Sequence, residues 1–295
     1  MYKISVVIPA YNRADLLPRT LESVAAQTLK PDEVIIIDDQ SPDDTPAVCA
    51  ALIEKYRDQL PIVYMRHEQN KGEAGSRNTG IRHAQYDYIA FLDSDDEWKP
   101  EKLAQQIAYI KQHGVDGVFC ESALVENGDY AQAMHTKIAH DTIEAEKLLT
   151  RGCGYGVGTN LLIARRAILD HPFDETLKLL VDVDWLYRVA QTAHLDILHE
   201  CLAYYHKAPM RGGAYVAEHC TIFMRKYEPL IAHWPWYKRR QVRAFMLWNI
   251  AFGYQGNDDY INAALNFAKG IVQWPVRNPW HYLFVPINLV KGWLR

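Results

Sequence analysis

The chain has 295 residues, with 32 Lys/Arg against 36 Asp/Glu, and is 49% hydrophobic and 23% charged. These values exclude wholesale disorder and fibrous low-complexity classes, and they allow one large α/β domain, with or without an annex, around an ample core. Charge is uneven: residues 1–219 hold 22 Lys/Arg against 33 Asp/Glu, which argues against nucleic acid as a partner of that part, whereas residues 220–295 hold ten against three.

In chain order, MYKISVVIPAYN reads as a first strand rather than a secretory leader, because Pro9 and a polar turn follow the apolar run with no small-residue cleavage site. Lys3–Ile8, Glu33–Ile37, Ile62–Arg66, Tyr88–Leu92 and Val115–Cys120 are short and rich in Val, Ile and aromatics, and predict strands. Between them lie helix stripes: Leu17, Leu21 and Val24; Val48, Leu52 and Tyr56; Leu103, Ile107 and Ile110. This alternation predicts a mostly parallel sheet with helices on both faces, and such sheets bind ligands at the carboxyl ends of their strands. The segments at those ends are PAYNR, DDQSPDD, HEQNKG and DSDDEW.

Residues 121–140 show no clear period, and Arg151–Asn160, with four glycines, reads as a mobile loop without the GxGxxG dinucleotide fingerprint. Asn160–Ala164 predicts a strand, Asp182–Ala193 a helix, Ile197–Tyr205 a further strand, and the chain from Gly212 mainly helices. The expected division is a domain over 1–219, with halves at about 1–120 and 121–219, and a basic, Trp-rich helical region over 220–295. No run reaches the ~18 apolar residues of a spanning helix. The five cysteines, Cys49, Cys120, Cys153, Cys201 and Cys220, contain no CxxC pair and are expected to be free thiols in a reducing cytoplasm.

Tyr88–Trp98 carries the sharpest chemical signal. An apolar strand ends in Asp93, Ser94, Asp95, Asp96 and Glu97, four acids in five residues. Such carboxylates repel one another unless a cation or solvent offsets them, and a hard divalent ion accompanied by phosphate oxygens suits them. A solvated turn with Asp95 or Asp96 capping the next helix is the other reading.

Taken together, SVVIPAYNR, IIIDDQSPDDT, NKGEAGSRNTG and AFLDSDD stand in an order and spacing that resembles the family 2 glycosyltransferases. The likeness is strong over residues 3–100 and weaker over 158–190. It implies the α/β GT-A fold, a nucleotide-diphospho-sugar donor, UDP-linked foremost, and inversion at the sugar. It further implies that Pro9, Tyr11 and Asn12 line the nucleotide pocket and that Asp39 bonds the base. Lys71 and Arg77 would approach base, ribose or phosphates. Asp93, Ser94 and Asp95 match the DxD motif, with Asp93 near ribose or donor sugar and Asp95 as chief ligand of Mn2+ or Mg2+; Asp96 would assist. Val181-Asp182-Val183-Asp184 resembles the acid-led helix that supplies the catalytic base, here Asp182, although Val181 stands where an acid is frequent. Asp184 is the second candidate, set against an exposed helix-face pairing with Arg188. His206 lies where some relatives place a further metal ligand, the alternative being an ordinary loop histidine.

The chemistry suits these residue types. The leaving diphosphate gains negative charge that a cation at Asp95 offsets, and the acceptor hydroxyl loses its proton to a carboxylate that a helix N-terminus keeps ionised. A saccharide or lipid-linked acceptor in surface polysaccharide or glycolipid assembly follows from the resemblance and from Asn278–Arg295, whose Trp and basic ends suit an interfacial helix; packing on the domain or a dimer contact is the alternative. A nucleotidyltransferase lacks its Gly-rich phosphate loop here, since PAYNRADLLPRT has no glycine. A catalytically silent nucleotide-sugar-binding scaffold would not need the DSDD turn or Asp182.

Overall fold

The structure is a computed structural model and describes residues 2–126, 128–136, 138, 140–152, 156–206 and 211–275. Its elements run β1 (Ile4–Ala10), α1 (Leu17–Ala25), β2 (Glu33–Asp38), α2 (Thr45–Tyr56), β3 (Ile62–Arg66), α3 (Gly72–His83), β4 (Tyr88–Phe91), β5 (Glu97–Trp98), α4 (Lys102–His113), β6 (Gly117–Val125), β7 (Met134–Thr136), α5 (Ala145–Arg151), α6 (Val157–Asn160), β8 (Leu161–Ala164), α7 (Val181–Val189), β9 (Leu195–His206), α8 (Gly213–Ile231), α9 (Trp236–Gln255) and α10 (Tyr260–Gln273). Two compact units result. One comprises Met1–Ala145, Cys153–Glu175 and Asp184–Lys207; the other comprises Glu146–Gly152, Thr176–Val183 and Ala208–Arg295.

The first unit is built on one sheet of order β3-β2-β1-β4-β8-β6-β9-β5, with β7 added to β6. The β3-β2-β1-β4 half is parallel. Beyond it β8 runs antiparallel to both β4 and β6, so the second half is mixed. The helix stripes do what their spacing dictates. Leu17, Leu21 and Val24 of α1, Leu52 and Tyr56 of α2, and Leu103, Ile107 and Ile110 of α4 join Val6, Ile8, Val34, Ile36 and Ala90 in one core. On the other face, Phe173 stacks on Trp185 with ring centres 4.5 Å apart, and Phe91 meets both rings edge-on. Gly80 lets α3 sit directly on β1, since any side chain there would overlap Val7.

Several expectations change. Residues 72–83 carried no helix stripe, yet they form α3, because its buried face is polar: Ser76, Arg77, Asn78 and Thr79. β6 runs on past Cys120 to Val125, with an irregularity at Glu121. The stretch after it holds a short 3-10 turn, Tyr130–Gln132, and β7. The glycine-rich segment over 151–160 is partly helical, as the end of α5 and all of α6; residues 153–155 and residues 276–295, including Asn278–Arg295, lie outside the described residues. Cys49, Cys120, Cys201 and Cys220 are free thiols.

Glu121 is buried at the β6 irregularity because three donors meet it. The Ile138 N–H donates to Oε1 at 2.8 Å, His199 Nδ1 lies 3.1 Å from the same oxygen, and His135 Nε2 lies 2.6 Å from Oε2. His199 Nε2 stands 2.9 Å from Asp141 Oδ1, so both its ring nitrogens face carboxylate oxygens, and only the imidazolium donates to both. Hydrogen bonds to Glu121 and Asp141 hold its pKa above the ordinary value. A raised histidine pKa gives stability that is fully present below the unfolded value of about 6.5 and is lost as pH rises through the folded value. His199→Gln is therefore expected to melt below wild type at pH 5.5–6, with a gap that persists to about 6.5 and closes as pH rises through the folded value. A gap independent of pH would contradict the assignment. The side chain is 43% exposed, so the effect is modest.

The second unit packs α8, α9 and α10 through close approaches at small residues. Gly213 of α8 lies against Tyr254, and Gly270 of α10 lies against Trp248. Arg243 pairs with Glu228 across α9 and α8 at 3.1 Å, and Lys238 pairs with Glu146 of α5.

Candidate active site

The carboxyl ends of β1, β2 and β4 lie side by side in the sheet, which is where a parallel sheet presents ligand-binding loops. Pro9 is the penultimate residue of β1, paired in register with Ile37. Tyr11 is 48% exposed just beyond the strand. Asn12 has φ +57°, the left-handed region that Asn tolerates better than most residues, and its N–H donates to Ser41 Oγ at 3.0 Å. Gln40, with φ +61°, makes the matching turn after β2. The first two strand ends are thus tied together.

Asp39 is buried, and its carboxylate is already in use. Oδ1 accepts from Lys71 N–H at 2.8 Å and lies 2.7 Å from His67 Nδ1; Oδ2 accepts from Gly72 N–H at 2.7 Å. It therefore caps the start of α3 from outside, where negative charge is favoured, and Oδ2, with one donor, keeps acceptor capacity for a ligand. Lys71 is exposed. Arg77 is 1% exposed: its guanidinium lies 2.9 Å from Asp93 Oδ1 and 2.5 Å from Glu73 Oε1, and over the Phe173 ring. Its direct structural role is to hold Asp93.

The DSDD turn follows β4 and is closed by an Asp96 N–H to Asp93 carbonyl bond of 3.0 Å. Ser94 is buried within it. Asp95 Oδ2 lies 3.3 Å from Arg13, and the Asp95 carbonyl accepts from Arg19 at 2.7 Å. Asp96 is 1% exposed; it accepts from the His206 N–H at 2.8 Å and from the Thr159 hydroxyl. Glu97 lies 2.7 Å from His206 Nε2 and 3.1 Å from Arg19 Nε, and it accepts from the Tyr130 hydroxyl. His206 is thus the last residue of β9 rather than a loop residue, with its ring on Glu97.

Electrostatics at this turn are unbalanced. Burial, and then the neighbouring Asp93 charge, push the Asp95 carboxyl above its ordinary range, and Arg13 offsets this only partly. The same two causes push Asp96 up to about 8. A carboxylate such as Asp95, buried beside a second one and only partly offset by Arg13, fits a hard divalent ion. Among the described residues no group of three or more His, Cys, Asp and Glu is arranged to hold a metal by itself. One or two carboxylates completed by phosphate oxygens is the usual manner of Mg2+ and of similar hard ions, so the residues present fit such an ion when a nucleotide accompanies it.

Gly158 of α6 lies directly against the Asp93 carboxylate, and a methyl group there would overlap it. The displaced atoms belong to a short side chain that Arg77 holds, so Gly158→Ala is expected to shift the Asp93 carboxylate and to lower the melting temperature. It should weaken nucleotide affinity about tenfold, the equivalent of ~1.4 kcal/mol. Unchanged affinity in a titration would show that Asp93 has no part in nucleotide binding.

Asp182 is the second residue of α7 and is partly exposed; it belongs to the second unit, whereas Asp93 and Asp95 belong to the first. The residue before the helix, Leu180, has φ +58°, a strained conformation for a bulky side chain and one found disproportionately at functional sites. Asp184 pairs with Arg188, at 3.1 and 2.8 Å, but it is fully buried instead of exposed. The reason is that its turn of α7 carries Trp185 and Leu186 into the core.

Arg13, Arg19, Tyr130 and Thr159 were not singled out by sequence reasoning, and Glu97 only as one of the four acids of the turn. Their partners are far apart in the chain, and of the first four only Arg13 carried a signal, by adjoining PAYN.

The model of the family described as glycosyl transferase family 2 matches residues 5–171, more than half of the chain. The amylovoran biosynthesis glycosyltransferase AmsB of Erwinia amylovora is 30% identical over 274 residues, covering 90% of this chain and 89% of that protein. The UDP-Glc:alpha-D-GlcNAc-diphosphoundecaprenol beta-1,3-glucosyltransferase WfaP of Escherichia coli is 41% identical over 115 residues, 39% of this chain and 44% of that protein. The solved mannosyltransferase PcManGT of Pyrobaculum calidifontis, in complex with GDP-Man and Mn2+, superposes with a TM-score of 0.61 at 17% identity, covering 99% of this chain and 86% of that one. The DSDD turn at the end of β4, the parallel half-sheet that presents it and these likenesses agree: the chain belongs to glycosyl transferase family 2 and has the GT-A fold.

Proposed function

We propose that this glycosyltransferase moves a sugar from a UDP-sugar to a hydroxyl of a saccharide or lipid-linked acceptor, in surface polysaccharide or glycolipid assembly, by one inverting displacement. The carrying observation is the DSDD turn, where Asp95 is buried beside the charge of Asp93 and Arg13 offsets this only partly. Relatives point the same way: AmsB is named for amylovoran biosynthesis, and WfaP for a UDP-Glc donor and a diphosphoundecaprenol-linked acceptor.

In this reading Pro9, Tyr11 and Asn12 line the nucleotide pocket at the end of β1. Asp39 takes the base through its remaining acceptor capacity. Lys71 reaches the phosphates, and Arg77 acts through Asp93, which it fixes toward ribose or donor sugar. Asp95, with Asp93 beside it, holds Mn2+ or Mg2+ together with the diphosphate. Such an ion, when bound, supplies positive charge for the leaving diphosphate. Asp182 accepts the acceptor hydroxyl's proton. The enzyme works at the inner face of a membrane, with 278–295 in peripheral contact.

A proton NMR time course tests the displacement. UDP-glucose, UDP-galactose and UDP-N-acetylglucosamine are supplied with Mn2+, and water takes the place of the acceptor. The sugar first released from the α-linked donor is expected as the β anomer. An α anomer appearing first would overturn the single displacement.

A further inference from the structure

Lys102 of α4 is a fully buried ammonium with no part in the chemistry described above. Among the described residues no carboxylate pairs with it, and burial pushes its pKa down to about 8. The ammonium lies 4.2 Å from the centre of the Trp98 ring and donates to Gln106 Oε1 at 2.8 Å. A buried charge without an ionic partner costs the fold stability, and an apolar side chain of similar length would fill the same space. Packing alone therefore does not require a lysine here.

What the lysine does is orient an amide. An ammonium only donates, so Gln106 turns its oxygen to Lys102 and its NH2 the other way. That NH2 donates to the carbonyls of Val118, at 3.0 Å, and Asn160, at 2.8 Å. Asn160 ends α6, and its own amide donates to the Cys120 carbonyl at 2.7 Å. The Trp98 indole N–H donates to the Thr159 carbonyl at 2.8 Å. α6 has four residues, too few to sustain a helix by its own hydrogen bonds, so these contacts seat it. The same four residues meet the DSDD turn: Gly158 lies against the Asp93 carboxylate, and the Thr159 hydroxyl donates to Asp96. We propose that Lys102 is a positioning residue for nucleotide and metal binding: by fixing the Gln106 amide it seats α6, and so Gly158 and Thr159, against Asp93 and Asp96. This deepens the donor-site reading given above and rests on it.

The test is titration of UDP, with and without Mn2+, into the full chain as wild type, Lys102→Met and Lys102→Gln, together with the melting temperature of each without ligand. Methionine keeps the length and loses the donor; glutamine keeps a donor and loses the charge. Lys102→Met is expected to melt close to wild type, because it sheds both the buried charge and the bond to Gln106. It should bind UDP in the presence of Mn2+ about tenfold more weakly, as happens when a group supporting metal ligands from behind is removed. Lys102→Gln should recover most of that loss. Trp98→Phe, which removes the donor to the Thr159 carbonyl, keeps the test informative if Lys102→Met does not fold, and should weaken the same binding several-fold. Wild-type affinity in Lys102→Met, or in Trp98→Phe where only that variant folds, overturns the proposal whatever the melting temperature. So does an equal loss in Lys102→Gln and Lys102→Met, because the charge and not the oriented amide is then what matters. Wild type that binds no UDP, with or without Mn2+, overturns the donor-site reading and this inference with it. Normal binding by wild type and by Lys102→Met alike overturns this inference alone.

Discussion

Asp95→Asn is expected to lower kcat about 10²–10³-fold, the usual effect of removing one preorganised contribution to transition-state charge, and to abolish the extra stabilisation that Mn2+ confers on nucleotide binding. The same variant should melt no lower than wild type in the absence of metal. Burial and Asp93 push the Asp95 carboxyl upward, so its ionised form costs the folded state stability. A raised carboxyl pKa contributes stability below the unfolded value near 3.9 and loses it as pH rises through the folded value. At pH 7.5 that loss is in force, and the neutral amide removes it. The pairing of a large activity loss with unimpaired apo stability is characteristic of groups held strained for function. A variant that loses activity only because it unfolds would show the opposite melting behaviour. Full activity in Asp95→Asn would remove this residue from the reaction.

Asp182→Asn should leave UDP affinity within about twofold and lower kcat by roughly 10²–10⁴, the range for loss of a positioned general base. The discriminating readout is the pH profile. In wild type, the acid limb of kcat/KM reports the pKa of the free base; in Asp182→Asn that limb should flatten. Asp184→Asn is the companion variant. Asp184 is fully buried and doubly bonded to the partly exposed Arg188, so removing its charge weakens the partner of a buried acid. The expected outcome is a lower melting temperature, not a selective loss of kcat. If instead Asp184→Asn folds normally and loses kcat while Asp182→Asn does not, the two roles are exchanged.

The sequence foretold the apolar framework well and the polar framework poorly, for a physical reason. Leu17, Leu21, Val24, Leu103, Ile107 and Ile110 reveal their helices because burial there is hydrophobic and therefore periodic. α3 is equally buried, but by Ser76, Arg77, Asn78 and Thr79, of which Arg77 and Asn78 reach partners distant in the chain. Asn78, for example, donates to the Phe173 carbonyl and accepts from the Phe173 N–H. No local pattern encodes such a helix. Likewise β6 seemed to stop at Cys120, because Glu121 and Ser122 look solvent-facing until His135 and His199 arrive from 14 and 78 residues away to hold the carboxylate.

The site shows the same division. Asp93 and Asp95 stood out because four acids fall within five residues. Arg77 was legible as a residue but not in its action: at 1% exposure it supports Asp93 from beneath. Asp39 carries a structural task that its sequence neighbours did not suggest, capping α3 through Lys71 and Gly72. Arg13, Arg19, Glu97 and Tyr130 enter through contacts that only the folded sheet creates.

A thermal-shift panel of UDP, dTDP, GDP and CDP, each with and without Mn2+, tests the central claim most directly. A ligand at about 100 times its dissociation constant adds ~2.7 kcal/mol of stability, enough to move the melting temperature by several degrees. The account predicts that UDP stabilises wild type, more strongly with Mn2+, and that the Mn2+ increment vanishes in Asp95→Asn. Stabilisation by no nucleotide at millimolar concentration, or a Mn2+ increment that survives in Asp95→Asn, would contradict it.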